Sequence, residues 1–245
     1  MADGLRNSMK KIIGLIPSRL GSKRLPGKAL ADISGMPVVI HVAKRALLSK
    51  CLDEVIVCTD SLEIASKCEE FSVKVVLTSD HFRNGTERIA SIIDNIDFEY
   101  AIDIQGDEPL VNPEHINCVA DNISRNIKGE DILIPTLEVP FSSPETIVRV
   151  QSSLSGRIMT LTRATIPHRY SVPITTIQKH LSVIGFTKKA LKKYRELEPT
   201  PNELSEDIEL LRALENDMKL YSLPVEGNSF SVDVQDDLLK ARVAM

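Results

Sequence analysis

Short apolar runs alternate along the chain with segments whose apolar residues recur at helical spacing. The runs Lys11–Ile16, Glu54–Thr59 and Lys74–Thr78 each have the length of a strand. Helical spacing follows in Val38–Ser49 and Ser61–Phe71. Such alternation is typical of βαβ units, in which helices connect parallel strands. We therefore predict an α/β fold with a mixed, mostly parallel sheet flanked by helices.

The same pattern continues through the second half of the chain, with one irregular stretch. Further helices are predicted over Gly85–Ile96, Pro113–Arg125, Lys188–Glu196, Glu203–Glu215 and Asp236–Ala244, and further strands over Tyr100–Gln105, Asp131–Val139 and Lys219–Leu223. Between them, Thr146–Val183 is more β-like, and we interpret it as an insertion that contains antiparallel strands. Residues 1–9 are interpreted as an extension or tag, and residues 10–245 as a single domain with the insertion over about 140–190.

Composition limits the classes of function. The chain has 245 residues, of which 42% are hydrophobic and 26% charged, so it can bury a core. A net charge of -4 and the absence of Trp argue against a nucleic-acid partner. Four cysteines without CxxC or zinc spacing predict reduced thiols in a cytoplasmic protein. No apolar run approaches the roughly 20 residues that span a bilayer, so we predict no membrane association.

The loop Ile16–Leu30 (IPSRLGSKRLPGKAL) is the most informative segment. It follows the first predicted strand, at the end where open α/β sheets bind ligands. Its cations and flexible glycines suit a triphosphate, because Lys and Arg side chains and free backbone N–H groups bind phosphate oxygens. The spacing matches neither a P-loop nor a GxGxxG motif. The alternative is a solvated basic surface loop. The cations are Arg19, Lys23, Arg24 and Lys28.

Acidic residues also follow predicted strands. Asp107 lies in QGDEPL directly after the apolar run Tyr100–Gln105, and Asp233 lies in SVDVQDDL near the end of the chain. A carboxylate at a strand end can hold Mg²⁺ against a substrate phosphate. For Asp107 the alternative is a structural turn at Asp107-Glu108-Pro109. For the second segment the alternative is capping of the last helix, which suits Asp236 and Asp237 better than it suits Asp233.

Two further segments carry candidate binding groups. Thr86 and Arg88 open a predicted helix in NGTERIA, where a plain N-terminal cap is the alternative. Arg163 in RATIP and His180 belong to the irregular insertion and could bind an acidic substrate. An isolated histidine is more often structural than catalytic.

Taken in order, these segments resemble the CMP-Kdo synthetases, the 3-deoxy-manno-octulosonate cytidylyltransferases. The resemblance runs from about Lys10 to Leu238, and RLPGK and QGDEP are its most specific parts. It implies a nucleotide-diphospho-sugar-transferase-like, Rossmann-like fold whose β-rich insertion contributes to a homodimer. It also implies the reaction: CMP passes from CTP to the anomeric hydroxyl of 3-deoxy-D-manno-octulosonate (Kdo), giving CMP-Kdo and pyrophosphate for lipopolysaccharide biosynthesis, with Mg²⁺ as cofactor.

Residue roles follow from the resemblance as well. It implies catalytic roles for Arg19, Lys28 and Asp107, with Arg19 and Lys28 on the triphosphate and Ser22 and Lys23 in the same cradle. The remaining matches are Asp107 and Asp233 as metal ligands, Thr86 and Arg88 on the nucleotide side, Gln105 as a sugar contact, and Arg163 and His180 on the sugar acid.

Departures from the family pattern cluster on the sugar side, for example at Ser182, Ile184 and Leu210. Two alternatives therefore stay open. The first is a cytidylyltransferase for another acidic sugar, such as a sialic-type nonulosonate or an amino-Kdo analogue. The second is a non-catalytic nucleotide-binding relative, against which the carboxylates Asp107 and Asp233 argue, because a pure binder has little need for them.

Overall fold

A ten-stranded mixed sheet organises the computed structural model of the chain, which describes residues 10–22, 24–144 and 146–245. The strands are β1 (Ile12–Ser18), β2 (Asp32–Ile33), β3 (Met36–Pro37), β4 (Glu54–Thr59), β5 (Lys74–Leu77), β6 (Tyr100–Ile104), β7 (Ile132–Pro140), β8 (Arg149–Ser152), β9 (Ile158–Thr162), β10 (Thr176–His180), β11 (Val183–Thr187) and β12 (Leu220–Val225). The main sheet has the order β5-β4-β1-β6-β11-β7-β10-β8-β9, with β12 also paired to β7, while β2 and β3 form a separate pair. The expected extension over residues 1–9 lies outside the described residues.

Helices cover both faces of the sheet. They are α1 (Val38–Ala46), α2 (Leu62–Glu70), α3 (Gly85–Ala90), α4 (Pro113–Arg125), α5 (Lys188–Arg195), α6 (Pro201–Glu206), α7 (Leu210–Glu215) and α8 (Gln235–Ala244), with a short 3-10 turn at Lys28–Leu30. On β1, Ile13 and Leu15 pack into the core shared with α3, α5 and α7, while Ile12 and Ile16 pack into the core shared with α1 and α4. Burial on both faces explains why the parallel strands are almost wholly apolar.

The two halves of the sheet differ in strand direction. β5, β4, β1 and β6 run parallel, whereas β11 runs antiparallel to β6 and begins a mostly antiparallel half, in which β12 pairs parallel to β7. In that half β8, β9 and β10 pair antiparallel, so the antiparallel strands expected between Thr146 and Val183 are present. The prediction of an α/β fold with parallel strands flanked by helices is confirmed.

The structure corrects three predicted boundaries. The single helix expected over Glu203–Glu215 is two helices, α6 and α7, because Asp207 adopts a left-handed conformation (φ 52°) that ends α6. The α6 terminus is stabilised by Arg163, which donates to the carbonyl oxygens of Glu206 (2.9 Å) and Asp207 (3.2 Å). In addition, α3 ends at Ala90 rather than Ile96, and β12 continues through Pro224 to Val225.

Candidate active site

A cleft of about 490 Å³ opens at the carboxyl ends of β1 and β6. β1 lies between β4 and β6 in the sheet. The loops that follow these strands therefore lie at the same carboxyl edge, where open α/β sheets bind ligands. Seven of the predicted site residues line the cleft: Arg19, Ser22, Lys28, Arg88, Gln105, Asp107 and Asp233. The topology thus brings together groups that are far apart in the sequence.

Two glycines allow the cleft walls to approach each other. A Cβ on Gly106 would lie 2.8 Å from the backbone oxygen of Pro17, a contact that real Cβ atoms do not make. A Cβ on Gly85 would lie 2.9 Å from the Pro17 side chain and 3.1 Å from Nε2 of Gln105. The ends of β1 and β6 and the start of α3 therefore meet only because glycine occupies both positions.

Lys28 links the two predicted metal-binding carboxylates. Its Nζ donates to Oδ2 of Asp107 at 2.7 Å, to Oδ1 of Asp233 at 3.2 Å and to the carbonyl oxygen of Val232 at 3.1 Å. The side chains of Lys28, Asp107 and Asp233 are 18%, 26% and 33% exposed, so all three remain open to a ligand. The structure therefore places both carboxylates within reach of one cation.

The rest of the first loop forms one basic wall of the cleft. Arg24 donates to Oδ1 of Asp233 at 2.8 Å. Ser22 accepts from the N–H of Leu25 at 3.3 Å, which closes a turn within the loop. Arg19 is exposed at the end of β1 and lines the cleft. Lys23, which was predicted to lie in the same cradle, falls outside the described residues.

Arg88 is held rigidly in the opposite wall. It lies on α3, is 3% exposed, and donates to Oδ2 of Asp60 at 2.8 Å and to the carbonyl oxygen of Ser79 at 3.2 Å. α3 begins at the N-cap Asn84, whose side chain accepts from the N–H of Glu87 at 2.8 Å. A buried guanidinium fixed in this way offers a positioned positive charge at the cleft.

A buried carboxyl group, Asp103, and a half-buried one, Glu209, lie behind the cleft. Gln105 donates from Nε2 to both oxygens of Asp103, at 3.2 and 3.1 Å, and Oε2 of Glu209 accepts from the N–H of Thr86 at 3.0 Å. Burial and the nearby charge of Glu209 raise the pKa of Asp103 well above its ordinary value, and burial also raises the pKa of Glu209. Gln105 in the cleft wall is thus oriented by a carboxyl group beneath it.

Three predicted binding residues do not line the cleft. The Thr86 side chain is fully buried on α3. Arg163 donates to backbone carbonyls of α6 and to that of Thr146 at 2.8 Å, so its guanidinium is engaged by the protein. His180 lies at the end of β10, where burial beside Lys179 and Arg163 lowers its pKa to about 4. At neutral pH it therefore presents an uncharged imidazole.

The structure also shows neighbours of the predicted site residues that were not themselves predicted to belong to the site, although Arg24 was named among the cations of the first loop. Asp60 is the ion-pair partner of Arg88, and Arg24 is a partner of Asp233. Glu108 is 4% exposed, and burial raises its pKa. The sequence contains a signal for each, since Asp60 follows β4, Arg24 lies in the basic loop and Glu108 adjoins Asp107. Their pairing depends on tertiary contacts that spacing does not reveal.

The donor set suits a ligand that carries its own phosphate oxygens. Within residues 10–22, 24–144 and 146–245, no group of three or more His, Cys, Asp or Glu side chains is arranged to hold a metal ion. Mg²⁺ is usually bound through one or two carboxylates together with substrate phosphates, and Asp107 and Asp233 match that pattern. The cleft therefore combines phosphate-binding cations with a carboxylate pair.

Comparisons with known proteins agree with this geometry. The sequence model of the family described as Cytidylyltransferase matches residues 13–220. A 3-deoxy-manno-octulosonate cytidylyltransferase from Chlorobium phaeobacteroides (strain BS1) is 35% identical over 236 residues, covering 93% of this chain and 94% of that protein. A mitochondrial enzyme of the same name from Arabidopsis thaliana is 33% identical, covering 96% and 83%.

A solved structure is similar over nearly the full length. The CMP:2-keto-3-deoxy-manno-octonic acid synthetase complexed with CTP superposes with a TM-score of 0.90 at 26% identity, covering 96% of this chain and 98% of that one.

Proposed function

The chain belongs to the cytidylyltransferase family, and from this premise we propose that it transfers CMP from CTP to the anomeric hydroxyl of Kdo, releasing pyrophosphate. The observation that carries the proposal is the cleft at the ends of β1 and β6. It joins exposed and buried cations to two carboxylates at the place where α/β sheets bind nucleotides. The relative from Chlorobium phaeobacteroides, which this chain matches over nearly its whole length, is named for this activity.

The residues of the cleft support displacement at the α-phosphorus. The anomeric hydroxyl oxygen forms a bond to this phosphorus and gives up its proton to solvent, while the bond from the phosphorus to the bridging oxygen breaks and pyrophosphate leaves. Arg19 and Lys28 line the cleft, and we propose that they bind the triphosphate and stabilise negative charge on the leaving oxygens. Ser22 and Lys23 are proposed to belong to the same triphosphate cradle, and Arg88 is proposed to act on the nucleotide side. Alignment of the two substrates supplies much of the remaining acceleration.

We further propose Mg²⁺ as the cofactor, held by Asp107 and Asp233. The fit rests on their shared contact with Lys28, because two carboxylates that meet one ammonium group lie close enough to meet one metal ion. When bound, Mg²⁺ neutralises charge on phosphate oxygens. Lys28 then has phosphate oxygens of the nucleotide as alternative partners.

The sugar side is proposed to include Gln105, Arg163 and His180. Gln105 lines the cleft directly. Arg163 binds the carbonyl of Asp207, which also lines the cleft, so it supports that wall from behind. The role of Thr86 is proposed to be indirect, through α3. Another acidic sugar is the alternative substrate that the assay below distinguishes from Kdo.

The insertion over about 140–190 is proposed to form a homodimer contact. Several of its large apolar side chains are exposed in the single chain: Leu154, Met159, Tyr170 and Val172. Exposed apolar side chains within one segment of the chain support association with a second copy. Light scattering after size exclusion is expected to give twice the monomer mass, and Met159→Lys with Val172→Lys is expected to lower it. A monomeric wild type would remove this proposal.

The proposed cellular setting is the cytoplasm, where CTP is available and lipopolysaccharide precursors are activated. None of the helices within the described residues is both long and apolar enough to cross a membrane.

The proposed activity is tested by pyrophosphate release with CTP, Mg²⁺ and Kdo, with N-acetylneuraminate in a parallel reaction. We expect release with Kdo and little with N-acetylneuraminate. Release with N-acetylneuraminate alone would assign the sugar differently. The absence of release with either sugar, together with normal CTP binding, would contradict the proposed transfer to Kdo.

A further inference from the structure

The segment that carries Asp233 has no regular secondary structure of its own. It connects the end of β12 at Val225 to the start of α8 at Gln235. Asp107, by contrast, follows the fully buried strand β6. A carboxylate pair needs a defined separation to hold a small cation, so something must fix this irregular segment against the loop after β6.

Glu108 makes that connection. Its Oε1 accepts from the hydroxyl of Ser229 at 2.8 Å and from the hydroxyl of Ser231 at 3.3 Å. Beside it, the carbonyl oxygen of Asp107 accepts from the N–H of Val232 at 2.8 Å. The segment is thus joined to residues 107 and 108 at three points just before Asp233, namely Ser229, Ser231 and Val232.

The surroundings of this contact favour a rigid attachment. Glu108 is 4% exposed, and Val232 is fully buried in a small core with Leu238 and Ala241 of α8. A buried carboxylate is costly unless its oxygens accept hydrogen bonds, so the two serine donors and Glu108 stabilise one another. Lys179 of β10 adds a further contact, donating to Ser229 at 3.4 Å.

Glu108 is poorly placed to bind the metal itself. It does not line the cleft, and its Oε1 is occupied by the two hydroxyl groups. Its neighbour Asp107 lines the cleft, as does Asp233. The contact therefore acts on the separation of those two carboxylates.

We propose that Glu108 is a positioning residue that sets the spacing of Asp107 and Asp233 for a divalent cation by holding Ser229 and Ser231. This inference rests on the proposed metal-dependent function. It requires an acceptor oxygen at position 108 but not a negative charge. Glu108→Gln should therefore retain the contact, whereas Glu108→Met, of similar size and without an acceptor, should lose it.

The test measures the affinity of the protein for Mn²⁺ in the presence of CTP and in the absence of sugar. Electron paramagnetic resonance detects the bound and free Mn²⁺. Loss of a group that orients metal ligands costs about 10-fold or more in affinity, and we expect this for Glu108→Met and for the double variant Ser229→Ala/Ser231→Ala. Glu108→Gln should stay within about 3-fold of wild type. Melting temperatures are recorded for every variant.

The matched control is Glu130→Met. Glu130 is also buried, at 7% exposure, and its Oε2 accepts from the N–H of Lys128 at 3.1 Å, outside the cleft. This variant should lose stability and keep wild-type Mn²⁺ affinity. If Glu108→Met does the same, Glu108 is only structural and the proposal fails. If Glu108→Gln binds Mn²⁺ as weakly as Glu108→Met, the charge matters and the positioning role is wrong.

The double serine variant keeps the test usable if Glu108→Met does not fold, because it leaves the carboxyl group in place. Unchanged Mn²⁺ affinity in that variant would overturn the proposal. Binding of Mn²⁺ by wild-type protein that forms no product with Kdo would contradict the proposed activity while leaving this inference intact. A wild type with CTP that binds no Mn²⁺ would overturn the inference.

Discussion

Lys28, Asp107 and Asp233 form one electrostatic unit, in which a single ammonium group meets two carboxylates. Each side chain is partly exposed, so each contact contributes little to stability, on the order of 1 kcal/mol or less. Their arrangement matters chiefly for ligand binding. Removing one carboxylate should therefore separate activity from folding.

Asp107→Ala is expected to reduce turnover by about 100-fold or more, because positioned charge of this kind is worth that much in a transition state. Its melting temperature should stay near that of wild type. The measurements are steady-state pyrophosphate release and thermal unfolding. Asp121→Ala, which removes an exposed carboxylate paired with Arg125 on α4, is the control. Near-normal turnover of Asp107→Ala would remove the metal assignment.

The buried carboxyl group of Asp103 makes the stability of the protein depend on pH. Its pKa is raised by burial and by Glu209, so the folded state binds a proton more tightly than the unfolded chain does. Stability from this group is present at low pH and is lost as pH rises through the raised pKa. Asp103→Asn cannot lose a proton, and its amide oxygen can still accept from Gln105. The variant should therefore gain stability at high pH.

We expect Asp103→Asn to unfold about 2–4 °C above wild type at pH 8, corresponding to about 1 kcal/mol, and the difference to shrink towards pH 5. Thermal unfolding at three pH values measures it. The control is Glu99→Gln, because Glu99 is exposed and lies just before the same strand. A difference that does not change with pH would contradict the raised pKa.

Among the elements, α3, α6 and α7 are joined by Arg212. This side chain is 2% exposed, donates from Nε and Nη2 to the two carboxylate oxygens of Glu203 at 2.8 and 2.6 Å, and donates to Glu87 at 2.6 Å. Its guanidinium also lies 4.7 Å from the ring centroid of Tyr194. α3 carries Arg88 of the cleft, so this contact supports the wall from outside.

Arg212→Met should destabilise the protein by about 3–5 kcal/mol, because it leaves buried carboxylates without their partner. That corresponds to a fall of roughly 6–20 °C in melting temperature for a domain of this size. Arg195→Met is the control, since Arg195 pairs with exposed Asp94. A loss in Arg212→Met no larger than in the control would show that the buried contact contributes no net stability.

The elements also show where sequence reasoning succeeds. β4 and α4 have their predicted bounds, because an apolar run and an Asn-Pro start are local signals. The break at Asp207 was missed because it depends on a contact with Arg163, which follows β9 and is distant in sequence. The resemblance implied that Arg163 binds the sugar acid, and nothing in the sequence indicates that its guanidinium contacts the end of α6. Asp107 follows β6 at the edge where such sheets bind ligands, so its place in the cleft could be predicted. Asp233 lies in the irregular segment between β12 and α8, and its pairing with Asp107 was implied only by the family resemblance.

At the scale of the whole molecule, a basic cleft lies in an acidic protein. The chain has a net charge of -4, yet the cleft is lined by more cations than carboxylates: Arg19, Arg24, Lys28, Arg83 and Arg88 against Asp107, Asp207 and Asp233. The lining of the cleft thus has a local excess of positive charge, in contrast to the chain as a whole. Its attraction for a polyanion is screened by salt.

The KM for CTP is therefore expected to rise several-fold between about 50 and 300 mM KCl at constant free Mg²⁺, with a smaller change in kcat. The rise should be weaker in Arg19→Gln, which removes one exposed cation. A salt-independent KM would indicate that the cations of the cleft do not attract CTP. Potassium acetate in place of chloride separates screening from anion competition.

The position of Lys28 between two carboxylates has a consequence for the order in which ligands arrive. A metal ion that enters alone must displace an ammonium group and leave it without a counter-charge. A nucleotide that entered together with a metal ion would bring phosphate oxygens that accept from the ammonium group, which would leave the carboxylates to the metal. If Mg²⁺ is the cofactor, this arrangement favours the arrival of nucleotide and metal as a pair.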